Sequence, residues 1–534
     1  MNASKSQEDI FIIKRDGQQE PLDINKVHKM TEAACDDLSG VSPSLVEMNS
    51  GLQFSNGMST NDIQEVLIKS ANDLITLEAP NYQYVAARLL LFTIRKEVFG
   101  KHIDHLYEVP LQFLVGRNIE KGLYDPNIMK WFNDDEFKTL DSYIKHDRDY
   151  NFTYAGLRQV ADKYLVQDRS SGKVFETPQY MYMMIAATLF HDYPKETRMG
   201  YIKRYYDAIS KFKINIPTPV MAGVRTPLKQ YASCVLVDVD DTLDSIFASD
   251  MAIGRYIAQR AGIGINAGRI RGINSRIRGG EVAHTGVVPF LKKFEATVRC
   301  CTQNGVRGGS ATVHFPIWHQ EIEDILVLKN NKGTEDNRVR KLDYSIQLSK
   351  IFYERFLKGE DITLFSPHEV PGLYEAFGTE EFDDLYTKYE RSTKITKKKI
   401  NAQLLFNELL KERAETGRIY IMNIDHCNSH SSFKDKVNMS NLCQEITLPT
   451  VPIQHIDGEG EIALCILSAI NVGVIKELDE LENLCDLAVR ALDEIIDYQQ
   501  YPVRAAEIST KARRSLGIGY IGLAHYLAKN QVLY

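Results

Sequence analysis

Downstream of about residue 216 the sequence alternates between short apolar runs of strand length, helix-period stretches and glycine-rich loops. That alternation is the strongest constraint on the fold, because it calls for a layered or closed α/β domain. The runs at 233–237, 419–422 and 461–469 read as its strands. Upstream the texture changes. Residues 101–215 read as mainly helical, and residues 11–100 read as a separate α/β unit. That unit opens with a hairpin over 11–22, turning at Asp16-Gly17, followed by a helix over 25–38. Ser59-Thr60-Asn61 supplies the capping residues of another helix. Pro80 and Gly100 bracket a third in the order helix termini prefer. Lys14, Arg15, Lys26 and Lys96 lie on these elements.

No apolar stretch approaches the roughly 20 residues of a membrane span, and the N-terminus lacks the apolar core of a secretory signal. A cytoplasmic enzyme is the expectation, with no membrane partner. The net charge of −7 and the spread of basic residues argue against a nucleic-acid partner, which would need concentrated phosphate contacts. Lys397-Lys398-Lys399 reads as a solvated face. Eight cysteines in 534 residues, none in a CxxC pair, fit neither a disulfide scaffold nor a zinc site. No metal of its own is expected.

The segment Ser440-Asn441-Leu442-Cys443-Gln444-Glu445-Ile446 is the sharpest local feature. Read as extended chain, it presents Asn441, Cys443 and Glu445 on one side. An amide, a thiol and a carboxylate then face one cavity, the equipment for hydrogen-atom abstraction beside a base. The same pattern also fits a buried cysteine at a strand edge. Cys234 and Cys465 fall in strand-like runs and, taken alone, read as small buried hydrophobes. Cys485 reads as part of an apolar helix face with Leu481, Leu484, Ala488 and Leu492. Cys35 falls in a helix, and Cys300-Cys301 ends another. Two glycine patterns, 517–522 and 262–267, imitate a dinucleotide loop, but neither follows a convincing strand, and only 12 residues follow the first. A nicotinamide fold is therefore set aside. Asp238, Asp240, Asp241 and Asp244 lack the central glycine of a calcium loop.

Several separated stretches, in order, resemble the large subunit of class I ribonucleotide reductase of the enterobacterial and phage type. They include Pro217-Thr218-Pro219, RAGIGINAGRIR, NGVRGGSAT, LVLKNNKG, DITLFSPHEVPGLY, TGRIYIMNIDHCN, SNLCQEI and ALCILSA. The resemblance implies an α/β fold: an ATP-cone over 8–100, a helical domain over 101–215, and from 216 to 534 the first part of a ten-stranded α/β barrel with a central finger loop. It implies ribonucleoside-diphosphate reduction by thiyl-radical chemistry. Cys443 resembles the radical thiol, Glu445 the base and Asn441 the amide on the sugar. Cys234 and Cys465 resemble the dithiol that ends as a redox disulfide. Thr218, Ser233 and Gly262 are similar to residues holding substrate phosphate and ribose.

Asp241, Thr242 and Arg271 resemble the specificity site for dNTP effectors, at a homodimer interface built from the effector-site helices. Gln303 and Arg307 fall on the specificity loop. Lys14, Arg15, Glu20, Lys26, Thr60 and Lys96 resemble the activity-site contacts of ATP or dATP, with Mg2+ accompanying the nucleotide. Expected partners are a radical-generating small subunit and thioredoxin or glutaredoxin. Gln64 stands where enterobacterial relatives have His; Met439 and Gln444 also differ, without removing a reactive group. The family's later barrel strands, radical-relay tyrosine pair and C-terminal cysteines do not follow Tyr534, so a second chain is expected to supply them. The alternative is a non-catalytic, nucleotide-binding regulatory subunit.

Overall fold

The computed structural model describes residues 10–15, 17–51, 53–100, 109–302 and 308–534. Asp16 of the expected turn, and Gln303 and Arg307 of the specificity loop, lie outside them.

The N-terminal unit follows its local signals. β1 (Phe11–Ile13) and β2 (Gln19–Pro21) form an antiparallel hairpin. α1 (Ile24–Cys35) ends three residues earlier than its periodicity predicts, because Asp36 leaves the helical region at ψ 139° and Asp37 turns left-handed at φ +57°. α2 (Pro43–Gly51) has no sequence expectation behind it; only Val46 and Ser50 are buried along its two turns, so little apolar period marks it. α3 (Thr60–Asp73) begins at a capping box: the Ser59 hydroxyl accepts from the Asp62 N–H at 3.1 Å, and the Asp62 carboxylate accepts from the Ser59 N–H at 3.1 Å. α4 (Tyr82–Phe99) stops at Gly100, whose φ of +70° is a conformation glycine adopts without steric cost.

The middle of the chain packs around the helix Pro178–Leu189, every residue of which is buried. A helix apolar on all sides has to be a core element. Two ion pairs are buried beside it, Arg95–Asp149 at 3.4 Å and Arg225–Glu176. A short hairpin, β3 (Gln167–Asp168) with β4 (Lys173–Val174), projects from this region.

The C-terminal part is one curled sheet with helices outside. After β5 (Ile214–Asn215) come β6 (Cys234–Asp238) and β7 (Gly262–Asn266). A two-stranded excursion follows, β8 (Arg276–Ile277) with β9 (Val282–Ala283). β10 (Ala311–Pro316) and β11 (Asp343–Leu348) return to the main sheet, and β12 (Asp361–Phe365) pairs with β13 (Lys397–Asn401) at its side. β14 (Ile419–Asn423), β15 (Ala463–Asn471) and β16 (Leu516–Ile521) complete the set. The sheet order is β14-β11-β10-β7-β6-β15-β16. The first five strands are mutually parallel; β6 meets β15 antiparallel, and β15 pairs parallel with β16.

The strands alternate strictly. Val235, Val237, Ile263, Ile265, Val313 and Phe315 pack outward under the helices. Cys234, Leu236, Ala463 and Cys465 face inward, against Met439, Ile446 and Leu448 of the loop that crosses the sheet. Period two thus separates a face packed under the helices from one packed against the crossing loop.

One expectation is corrected here. Cys485 is exposed: the buried stripe of helix Glu480–Tyr498 runs through Leu484, Leu487, Ala488, Ala491 and Leu492, and Cys485 falls between its rows. The two glycine patterns, set aside as dinucleotide loops, are mostly strand: β7 takes up 262–266 of one and β16 takes up 517–521 of the other.

Candidate active site and nucleotide sites

Inside the sheet, residues 438–450 cross as a loop. The expected extended run with three side chains on one side is not what forms. The Gln444 N–H donates to the Asn441 carbonyl at 3.3 Å, and Gln444 sits at φ +65°, so 441–444 is a tight turn. A turn breaks the period of two, so the three groups do not share one strand face. Asn441 is buried, while Cys443 at the tip and Glu445 beyond it are exposed. Asn441 and Glu445 nevertheless converge on one atom. Asn441 Nδ2 lies 3.3 Å from Cys234 Sγ, and Cys234 Sγ lies 3.6 Å from Glu445 Oε1. Cys465 is the register partner of Cys234 across the antiparallel β6–β15 junction. Both thiols are buried and not joined in a disulfide, and burial, then Cys234 and Glu445, push the Cys465 thiol well up.

Glycine explains how the loop comes so near the sheet. A Cβ on Gly264 of β7 would stand 2.8 Å from Asn441 Cα and closer still to the Ser440 carbonyl. A Cβ on Gly517 of β16 would stand 2.8 Å from Cys465 Sγ. The patterns that imitate a dinucleotide loop are glycine faces that let the 440–441 backbone and Cys465 come close.

Polar side chains on the inner face, which the sequence reading did not single out, hold the loop. Thr312 Oγ1 donates to the Leu442 carbonyl at 2.6 Å, and Gln347 Nε2 to the Asn438 carbonyl at 2.7 Å. Ser345 Oγ donates to Gln444 Oε1 at 2.6 Å, and Gln444 Nε2 to the Ile421 carbonyl at 2.6 Å. His314, fully buried in the same row, is pushed down to about 4 by desolvation and stays neutral. The signal was present: polar residues every second position inside otherwise apolar strands.

The remaining substrate candidates divide. Ser233 and Gly262 lie beside Cys234, with the Gly262 N–H donating to the Ser233 carbonyl at 2.9 Å. Thr218 meets Tyr164 instead, hydroxyl to hydroxyl at 3.2 Å.

Asp241, Thr242 and Arg271 come together. Arg271 donates to Asp241 through its backbone N–H at 2.9 Å and its guanidinium at 2.8 Å. Thr242 caps the helix Leu243–Ile257 by accepting from the Ser245 N–H at 3.1 Å, and its hydroxyl donates to Gln454 at 2.8 Å. Glu321, also missed, clamps the β8–β9 excursion at both ends by accepting from the Ile273 N–H at 2.9 Å and the Val287 N–H at 3.1 Å. Burial pushes its carboxyl up to about 7.

In the N-terminal unit a cavity of about 530 Å³ is bounded by Lys14, Arg15, Glu20, Lys26, Thr60 and Lys96, with Ile12, Val27 and Phe92 behind them. Glu20 pairs with Lys14 at 3.3 Å and with Lys26 at 3.4 Å. Burial lowers the Lys96 ammonium, and its neighbours Arg15, Lys14 and Lys26 lower it further. Cations gathered at an apolar pocket of this size suit an anionic, ring-bearing ligand. Gln64 is buried against it, donating to the Leu89 carbonyl at 2.8 Å. Among the described residues no cluster of His, Cys, Asp and Glu is arranged to hold a metal ion. No described helix is long and apolar enough to cross a membrane.

Three family models match in succession: the ATP cone domain over residues 10–97, the ribonucleotide reductase all-alpha domain over 150–229, and the ribonucleotide reductase barrel domain over 232–534. The chain belongs to the class I ribonucleotide reductase large-subunit family. It is 53% identical to the ribonucleoside-diphosphate reductase subunit alpha of Haemophilus influenzae, over 98% of this chain and 70% of that protein. Identity is 52% to subunit alpha of reductase 1 of Escherichia coli, over 98% of this chain and 69% of that protein. The phage T4 subunit alpha is 43% identical over 98% of this chain and 70% of its own length. The activity is that of ribonucleoside-diphosphate reductase, and the cone at its N-terminus is a nucleotide-binding, allosteric module.

Proposed function

We propose that Cys443 carries the transient thiyl radical, taking the hydrogen from C3′ of the substrate ribose and returning it at the end. Glu445 accepts the 3′-hydroxyl proton, and Asn441 hydrogen-bonds the same sugar. Cys234 and Cys465 then reduce C2′: the 2′-hydroxyl leaves as water, and the two electrons and two hydrogens come from two thiols that become one disulfide. The observation that carries this reading is the convergence on Cys234, with Asn441 at 3.3 Å, Glu445 at 3.6 Å and Cys465 as its cross-strand partner. Antiparallel partners stand about 4.5–5.5 Å apart at Cα, inside the roughly 4.4–6.8 Å a disulfide accepts. Separating the radical thiol from the dithiol spares Cys443 net oxidation.

The remaining assignments follow the same reading. The chain divides into a cone over 8–100, a helical domain over 101–215 and the barrel part over 216–534. Thr218, Ser233 and Gly262 hold substrate phosphate and ribose. Lys14, Arg15, Glu20, Lys26, Thr60 and Lys96 hold ATP or dATP with its Mg2+. Asp241, Thr242 and Arg271 hold a dNTP effector at a homodimer interface, with Gln303 and Arg307 relaying its identity. Leu243, Phe247 and Met251 support the dimer: they lie four apart on the helix that Thr242 caps and are 58%, 49% and 50% exposed. The radical comes from a small subunit, and thioredoxin or glutaredoxin re-reduces the disulfide in a cytoplasmic setting.

The test is a single turnover with labelled substrate, run with the small subunit and the part of the relatives' length beyond this match. Cys443→Ser abolishes all chemistry, because the serine O–H bond is too strong for reversible hydrogen transfer. Cys234→Ser or Cys465→Ser lets C3′ chemistry begin but yields no normal deoxynucleotide. Normal product from the Cys443 variant overturns the assignment.

A further inference from the structure

A second cavity, of about 710 Å³, adjoins the nucleotide pocket of the cone. Lys14, Arg15, Thr60 and Lys96 border both. Its opposite wall comes from the helical region: Ser171, Gly172 and Lys173, at the turn between β3 and β4. That turn is preformed. The Gly172 N–H donates to the Asp168 carbonyl at 2.8 Å, with Gly172 at φ +72°. The Asp168 carboxylate accepts from the Ser170 N–H at 2.9 Å and from the hydroxyls of Ser170 and Ser171 at 2.7 and 2.9 Å. The hairpin is tied to the cone one residue beyond Lys96, where the Val174 N–H donates to Glu97 Oε2 at 3.4 Å.

The charge arrangement points outward from the first cavity. Glu20 pairs with Lys14 and Lys26 on the inner side. Arg15 is steered by Asn61, which accepts from its Nε at 3.0 Å and lines the second cavity alone. Among the described residues no carboxylate pairs with Arg15, Lys96 or Lys173. Lys14, Arg15, Lys96 and Lys173, from two domains, thus border one space beside the Glu97 carboxylate, and an elongated anion seated at the shared wall reaches all four cations.

We infer that this second cavity receives the polyphosphate tail of the nucleotide bound in the cone, and that Lys173 of the helical domain closes its phosphate end. The inference rests on the nucleotide reading of the cone and deepens it. A tail held from both sides ties the hairpin to α4, so tail length, rather than the base, sets how firmly the two domains are joined. A free polyphosphate has the same chemistry as the tail, and the experiment separates the two.

The experiment is equilibrium binding of ATP, AMP, adenosine and inorganic triphosphate to the full chain, with Lys96→Met defining the share of binding due to the cone. Lys173→Ala is expected to weaken that share about fivefold for ATP, the effect of one exposed charge contact, and to leave AMP and adenosine within twofold. Lys173→Glu weakens ATP further, and inorganic triphosphate competes with ATP. Unchanged ATP affinity in both Lys173 variants, with Lys96→Met still damaging, overturns the inference and leaves the cone reading standing. Triphosphate binding alongside ATP without competition also overturns it. Binding that Lys96→Met does not touch removes the cone reading, and the inference with it.

Discussion

Replacing Gly264 with alanine adds one methyl group and is expected to disable the reductase. Gly264 has no positive φ, so alanine suits its backbone and the effect is steric. The new Cβ would stand 2.8 Å from Asn441 Cα, against 3.4 Å for ordinary contact, and closer still to the Ser440 carbonyl. Both obstacles are backbone, so no side chain can rotate away; either β7 or the loop must retreat. Overpacking of this kind costs about 1–3 kcal/mol, and the upper half applies because the loop is also pinned by Thr312 and Gln347. Asn441 and Cys443 move with the loop, and a displacement of about 1 Å at a reacting group costs on the order of 100-fold in rate. Gly200→Ala is the control: it lies in helix Lys195–Ser210 with nothing within 4 Å, so it should stabilise by about 1 kcal/mol. Thermal unfolding and turnover of the reconstituted enzyme measure both effects. A Gly264→Ala enzyme with native stability and turnover would refute the close-approach argument.

Two further outcomes are expected. Glu321, at about 7 when folded against 4.5 as its ordinary value, binds more protons in the native state between those values. Its contribution is therefore complete below about pH 4.5 and lost as pH rises through 7. Glu321→Gln should flatten the fall in stability from pH 5 to 8, and parallel slopes for the two proteins would contradict this. Phe247→Glu places a charge in the exposed stripe of helix Leu243–Ile257 and should weaken self-association at least about tenfold, roughly 1.4 kcal/mol. Sedimentation showing the variant as dimeric as the parent would remove that helix from the interface.

Much of the fold was legible because its signals are local. The capping box at Ser59, the stop at Gly100 and the strand runs around Cys234 and Cys465 each follow from a few neighbouring residues. The misreadings arose where tertiary contact decides. Residues 440–446 alternate like a strand, but hydrogen bonds from Thr312 and Ser345 hold the loop in place and Gln444 takes a left-handed turn within it. The glycines of β7 and β16 resembled a phosphate loop because a sequence does not display what passes over a strand. α2 was missed because it buries only two residues. In the candidate site, Asn441, Cys443, Glu445, Cys234 and Cys465 were singled out by resemblance, whereas Thr312, His314, Ser345, Gln347 and Glu321 matter through what they hold, which only the fold brings into view.

The central claim is that one thiol starts the reaction and two others supply its electrons. The direct measurement is one turnover without external reductant, followed by mass-spectrometric mapping of every cysteine against the deoxynucleotide formed. One Cys234–Cys465 disulfide per deoxynucleotide is expected, with Cys443 recovered as a reduced thiol. Product formed with Cys443 in the disulfide, or with Cys234 and Cys465 both still reduced, would contradict it.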